Sequence, residues 1–320
     1  MKTNTNTLEE EKSTDLNFTE LVKIKPEKDF EIIADDYGYE KRKFAYFLSI
    51  PLMWMFTLWV MVKKFCYSPK TNTLWFDGVS PVCRSIKDGA SSWKALDIIC
   101  NYKFDEQTGT CGFISDFWLG MMNAQAVRNR KKIAKRELLK AIRKFASQEQ
   151  LVNILSIASG SAQALLETIE EATAEGIKIK AVCIDIDEKA VEYSNNLIKA
   201  HKLEEICIAK TGTVFSMIKF PAFQPHIIEM IGFLDYRPHL KAVKLLEKLY
   251  SYLSKGGVLL TANIMPNPEM HFLKWVIDWP MIYRSPNQLG EMVVEAGFDI
   301  DNCKIFCEPH NIHAIIYAQK

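Results

Sequence analysis

The sequence predicts an α/β protein: a mostly parallel sheet with helices on both faces, an antiparallel pair at its C-terminal end, and a helical region before it. Three observations carry that expectation. From Leu151 onward, short continuous apolar runs alternate with helical patterns of ten or more residues, as in strands buried on both faces. The last two runs are separated by only a short loop, which suits an antiparallel pair at a sheet edge. Ahead of Leu151, apolar residues recur at helical spacing instead.

Taken in order, residues 1–43 form an acidic N-terminal segment, with 11 acidic residues against 5 Lys in the first 40. Such a stretch is expected to be partly flexible, with one short helix near Phe18–Val22. No apolar run lies near Met1, which argues against a secretory signal. Phe44 to Val62 then gives 19 residues without a charge, between Lys41-Arg42-Lys43 and Lys63-Lys64. As a helix this stretch reaches about 28 Å, just enough to cross a hydrocarbon core. Pro51, bulky aromatics and basic residues on both sides weaken that reading. Three readings stay open: a transmembrane anchor, a helix lying on a membrane, and a lid over an apolar pocket.

Residues 44–149 as a whole are expected to form a helical cap. Short helices fit Ser91–Tyr102 and Ile114–Met122, and a long amphipathic helix fits Ala124–Ala146. Val127, Ala134, Leu138, Ile142 and Phe145 share one face of the long helix. Between Arg128 and Lys144 it carries nine basic residues and one acid, Glu137. That face is either solvated or attracted to anionic lipid or an acidic ligand. Seven strands are expected in residues 150–320: VNILSIA, IKAVCID, EEICIAK, HIIEMIG, GGVLLTANI, CKIFC and HAIIYA.

The charge balance, 40 Lys+Arg against 39 Asp+Glu, argues against binding nucleic acid by bulk charge. Eight Cys without a CxxC pair indicate neither a zinc site nor a disulfide framework, and no metal is expected. His310 and His313, with no third ligand in sight, read as structural.

In an open parallel sheet, ligands bind beyond the carboxyl ends of the strands. The first strand of the run ends in Ser156-Ile157-Ala158-Ser159-Gly160, whose small residues let a ligand approach the backbone. The second ends in Asp185-Ile186-Asp187, 25 residues after Gly160. A carboxylate there can accept both hydroxyls of a ribose, and Asp187 fits a helix cap. Gly212, Thr213 and Val214 follow the third strand, where backbone can meet an adenine edge. The fourth supplies Glu229, Met230 and Ile231, then Gly232-Phe233-Leu234-Asp235-Tyr236.

On these stretches (LSIASGSAQ, AVCIDIDEKAVEYS, HIIEMIGFLDY and LSKGGVLLTANI) the chain resembles class I S-adenosylmethionine-dependent methyltransferases over about residues 150–320. NAQAVRNR (123–130), GFLDY (232–236) and WVIDWPMIYRSPNQL (275–289) are more narrowly similar to a bacterial methyltransferase group that includes formers of fatty-acid methyl esters. The glycine-rich turn departs from the broader pattern in keeping a single glycine, Gly160. The resemblance implies a Rossmann-like, seven-stranded methyltransferase sheet with S-adenosylmethionine as cofactor. It implies Ser156, Ala158, Ser159 and Gly160 around the methionine part, Asp185 and Ile186 at the ribose, and Gly212, Thr213 and Val214 at the adenine. Glu229, Met230 and Ile231 would lie under the sulfonium. Asn123, Arg128 and Arg130 are softer candidates, for the methionine carboxylate or for an acidic acceptor, since bidentate Arg suits carboxylates. Asp235, Tyr236 and Tyr283 are the catalytic candidates.

The expected function is methyl transfer to a small acceptor with an apolar part, such as a fatty acid or a lipid-like carboxylate or hydroxyl. A cyclase, lyase or aminocarboxypropyl transferase would share the binding residues, and a non-catalytic membrane-tethered binding protein is the third reading. The expected location is cytoplasmic, with membrane contact or a single span through residues 44–62. Nothing in the sequence fixes an oligomeric state.

Overall fold

The computed structural model describes residues 29–35, 44–66, 73–214 and 223–320, with backbone alone for residues 44–49. The short helix expected near Phe18–Val22 lies outside the described residues. One sheet organises the C-terminal half. Its strands are β1 (Glu31–Ala34), β2 (Val152–Ile157), β3 (Ile179–Asp185), β4 (Cys207–Thr211), β5 (Ile227–Met230), β6 (Val258–Ile264), β7 (Cys303–Cys307) and β8 (His313–Gln319). They lie in the order β1-β7-β8-β6-β5-β2-β3-β4. Every pairing is parallel except those of β8 with β6 and β7, so the antiparallel C-terminal hairpin is present as expected.

The apolar runs read as they do because both faces are covered. Leu155, Ile157, Val182, Ile184, Ile228 and Met230 point to one core, under helices α8 (His239–Tyr252) and α10 (Pro286–Glu295). Ile154, Ala181, Cys183 and Ile227 point to the other, under α5 (Met122–Ala146) and α6 (Gln163–Ala174). Successive strand residues face opposite ways, so a two-sided sheet requires unbroken hydrophobicity. Helix α7 (Glu188–Ala200) joins β3 to β4 and is capped by Asp187, whose carboxylate accepts from Lys189 N at 2.9 Å.

The sheet has eight strands, not the expected seven. The extra strand, β1, comes from the acidic segment and pairs in parallel with β7, Glu31 opposite Lys304. Phe30 anchors it: a Cβ on Gly290 would stand 2.6 Å from the Phe30 ring, so the glycine in α10 is the ring's socket. Asp35, just beyond the strand, pairs with Arg136 of α5. Phe30→Ala is therefore expected to destabilise the fold by about 3–5 kcal/mol. A smaller loss in urea denaturation, below about 1 kcal/mol, would show that β1 is not part of the cooperative unit.

The cap comprises α1 (Phe44–Cys66), α2 (Pro81–Asp88), α3 (Trp93–Asn101), α4 (Gly109–Leu119), α9 (Met270–Trp275) and the N-terminal part of α5. Helix α1 runs through Pro51 and buries a stripe of Met53, Thr57 and Val60 on the cap. Leu52, Met55, Leu58 and Val62 are exposed. Among the described residues, no helix is long and apolar enough to cross a membrane. Several cations of α5 pair with acids of the same chain. Lys131 and Lys135 both meet Glu167, at 2.8 and 2.6 Å, and Arg143 pairs with Glu175. Internal pairing thus accounts for much of the charge that the sequence left open to lipid or ligand.

Candidate active site

At the carboxyl ends of β2, β3 and β4 the sheet opens into a cleft of about 670 Å³. Ala158, Ser159, Gly160, Asp185, Ile186, Gly212, Thr213, Val214 and Ile231 all line it. The turn after β2 needs left-handed backbone at Ala158 (φ 51°), Gly160 (φ 54°) and Ala162 (φ 52°), which glycine adopts freely and the two alanines adopt at a cost. At Gly160 the space is also closed, because a Cβ would lie 2.9 Å from Trp93 Cβ. The cap therefore rests on this turn through the start of α3.

Asp185 organises the cleft floor. Its Oδ2 accepts from Gly160 N at 2.8 Å and its Oδ1 from Asp187 N at 2.9 Å. Each oxygen keeps a lone pair for a ligand hydroxyl. Asp187 accepts in turn from Trp93 Nε1 at 3.0 Å, and Trp93 packs 4.9 Å from the Tyr193 ring. Arg237, Lys241, Lys244 and Lys248 form a basic rim on the same cleft.

Three expected contact residues do not line the cleft. Alternation turns Ser156 and Glu229 to the α5 and α6 face of the sheet, while Met230 points into the core under α8 and α10. Ser156 and Glu229 are register partners, and the Ser156 hydroxyl donates to the Glu229 carboxylate. Burial pushes Glu229 up to about 7, against the lowering effects of Ser156, Ile231 N and Arg130. A carboxyl raised in the folded state binds more protons there than when unfolded, so its contribution to stability falls from about pH 4.5 to pH 7. Glu229→Gln should remove that loss and be more stable than wild type at pH 8 by on the order of 2 kcal/mol, the gap closing toward pH 4.5. Parallel stability–pH curves for the two proteins would refute it.

Asn123 and Arg128 also sit elsewhere than expected. Arg128 donates to Leu119 O at 2.9 Å and lies over the Phe104 ring, tying α4 and the segment before it to α5. Asn123 donates through Nδ2 to Glu269 at 2.8 Å and to Asn267 at 3.0 Å, fixing the start of α5 to the loop before α9. Neither touches the cleft; Asn123 lines a second cavity.

That second cavity, a chamber of about 80 Å³ under the cap, has walls that include Phe76, Ile86, Trp118, Phe272 and Trp279. Trp118 and Phe272 stack at 4.7 Å, and Phe76 meets Trp118 edge-on at 5.6 Å. No described side chain of α1 lines it, and Met53 and Val60 of that helix pack into the cap core instead. Leu96, Gly232 and Tyr236 line both cavities and mark where they meet.

Of the catalytic candidates, Asp235 and Tyr236 line the chamber and Tyr283 lines neither cavity. Asp235 accepts from Ile264 N at 2.7 Å and faces Arg130 at 3.9 Å. The Tyr236 hydroxyl accepts from Trp279 Nε1 at 2.6 Å, and burial pushes it up to about 12, so it is a donor and not a base at neutral pH. Sequence reasoning left Arg130 as a softer candidate, read His313 as structural, and missed Trp93 and Leu96. Only tertiary packing brings these four to the cavities, and no spacing signal marks them.

A protein family described as "Putative methyltransferase" matches residues 20–320. No curated protein matches the chain in sequence. A Bordetella parapertussis protein described as a possible exported protein shares the fold, with TM-score 0.60, 14% identity, and 86% of this chain and 96% of that one covered. An O-methyltransferase family protein from Burkholderia thailandensis has TM-score 0.48 and 11% identity over 85% of this chain and 71% of its own. A Nostoc punctiforme protein described as an O-methyltransferase has TM-score 0.45 and 13% identity over 77% and 71%.

Proposed function

Because the chain belongs to this methyltransferase family, we propose that it moves the methyl group of S-adenosylmethionine onto a small acceptor with an apolar part. The observation that carries the reading is the junction at Leu96, Gly232 and Tyr236, where a polar cleft at the strand tips meets an apolar chamber. The cleft residues fit the donor. Asp185 has one open lone pair on each oxygen for the two ribose hydroxyls, and the Ala158–Gly160 turn admits a ligand against the backbone. Gly212 and Thr213 offer main chain to the adenine edge.

S-adenosylmethionine supplies a methyl group already activated on a sulfonium. What remains for the protein is to align the acceptor and exclude water. Gly232 at the junction has φ 80°, and a Cβ there would stand 3.4 Å from the Arg130 guanidinium and 3.7 Å from Leu96, so the glycine keeps the two cavities from being crowded apart. Trp93, Leu96 and Tyr236 belong to or border the cap and close over it.

Calorimetry with adenosylhomocysteine tests the cleft, and incubation of the full chain with labelled S-adenosylmethionine and a lipid and metabolite extract tests the transfer. Labelled methyl in an extract component, with adenosylhomocysteine as co-product, is the expected result. Methylthioadenosine in its place would favour the cyclase, lyase or aminocarboxypropyl route, and absence of adenosylhomocysteine binding would favour a non-catalytic protein.

A further inference from the structure

The chamber contains one polar side chain that the fold itself does not use. His313 opens β8 and lines the chamber wall, is 2% exposed, and neither ring nitrogen has a hydrogen-bond partner. Leaving such a group dry and unpaired is costly, and native folds generally reserve it for a place where a water, a ligand or a catalytic role completes the pairing. The other polar groups on the wall are engaged. Both oxygens of Glu269 accept from the start of α5, at Met122 N and at Asn123 N and Nδ2. Asp235 is taken by Ile264 N and Arg130, and the Tyr236 hydroxyl by Trp279.

The fold fixes His313 through its main chain and leaves the ring free. Its N–H meets the Glu308 carboxylate at 3.3 Å, and its register partner on β6 is Ile264, the residue whose N–H holds Asp235. Charged and titratable groups converge from each side: Arg130 from α5, Asp235 and Tyr236 from the turn after β5, and Glu269 from before α9. Burial and the Arg130 charge both hold the imidazole well below its ordinary value, so the ring is neutral and has a lone pair to give at neutral pH.

We propose that His313 receives the acceptor's hydroxyl and takes its proton, so that the acceptor is a neutral hydroxyl on a compact apolar body and not a carboxylate. This rests on the methyl-transfer reading above. The charge inventory supports it: an incoming carboxylate would join Asp235 and Glu269 with Arg130 as the one cation on the wall. The volume supports a compact body, since about 80 Å³ is far below the ~300–1,000 Å³ of sites that take drug-sized ligands. In the reaction, the acceptor's O–H bond breaks and its proton passes to a ring nitrogen of His313. The O–CH3 bond forms as the S–CH3 bond breaks, and sulfur keeps that electron pair as a neutral thioether. The imidazolium returns its proton to water when product leaves.

The test uses the full chain saturated with adenosylhomocysteine and two small aromatic probes of similar size, 4-methylphenol and benzoate, titrated by calorimetry. The phenol is expected to bind at least about tenfold more tightly, and His313→Leu to lose about tenfold or more of that affinity. With S-adenosylmethionine, turnover of the phenol should fall on the order of 100-fold or more in His313→Gln, with adenosylhomocysteine affinity within about threefold of wild type. In wild type, the His313 ring nitrogens should shift in 15N spectra when the phenol is added, a readout that needs no variant. Equal or tighter binding of the benzoate, binding of neither probe, an unmoved ring signal, or full turnover in His313→Gln overturns the proposal. Failure of adenosylhomocysteine itself to bind would instead overturn the reading of the cleft.

Discussion

Asp185→Ala is expected to weaken adenosylhomocysteine binding on the order of 100-fold, measured by calorimetry. Two losses combine. A ligand diol loses a charged acceptor for both hydroxyls, and charge-assisted hydrogen bonds are about twice as strong as neutral ones. The site also loses its frame, since Gly160 N and Asp187 N both donate to this carboxylate. Without it, the turn after β2 and the turn into α7 lose one of their shared anchors, leaving the Ser194 hydroxyl on Gly160 O, and the donor would have to order more of the site on binding. Asp185→Asn separates the two effects: it keeps one oxygen for one of the two N–H groups and removes the charge. An intermediate loss of about tenfold is expected. A change below about threefold in the Ala variant would mean that the ligand's diol lies elsewhere.

Arg130→Met should cost about 3–5 kcal/mol of stability, because it strands a buried carboxylate. The Arg130 and Asp235 side chains are 6% and 3% exposed, and Arg130 is the cation that offsets the burial of Asp235. Burial already raises Asp235 in the wild type against the lowering effect of Arg130 and Arg284, so removing Arg130 raises it further. The sign with pH follows. A raised acid stabilises the fold in its protonated form, and that contribution is lost as pH rises. The Met variant should therefore come closest to wild type in acid and fall behind it toward pH 8. Adding Asp235→Asn should recover much of the loss, since an amide oxygen can still accept from Ile264 N and carries no charge. Equal stability of Arg130→Met and wild type at pH 8 would show that the pair does not carry this energy.

The sheet was legible because both of its faces are buried. Runs such as Ile179–Asp185 admit few readings, and the small or acidic residues that end them announce the ligand side. β1 was not legible: four residues among charges carry little periodicity, and the partner strand lies at the other end of the chain. The cleft was read at the level of strand tips, where Ala158, Gly160, Asp185 and Gly212 belong, but Ser156 and Glu229 turn to the face under α5 and α6, and Met230 turns into the opposite core. Arg128 and Asn123 were misplaced for a related reason. A basic or amide residue on an amphipathic helix says that something polar is near, and only packing decides whether that is a ligand, a carbonyl or Glu269. His313 is the extreme case. Its position at the start of a strand carries no chemical signal, and its value comes from the crossing of β8 beneath α5 and the cap.

The pairing of β1 with β7 also sets a schedule for making the protein. Glu31 and its partner Lys304 are 273 residues apart. A ribosome adding roughly 5–20 residues per second needs on the order of 14–55 s to cover that interval. For most of it, Phe30 has been made and its socket, Gly290 in α10, has not. β1 precedes every other described strand of the sheet in the chain, yet it can be seated only after β7 has been made.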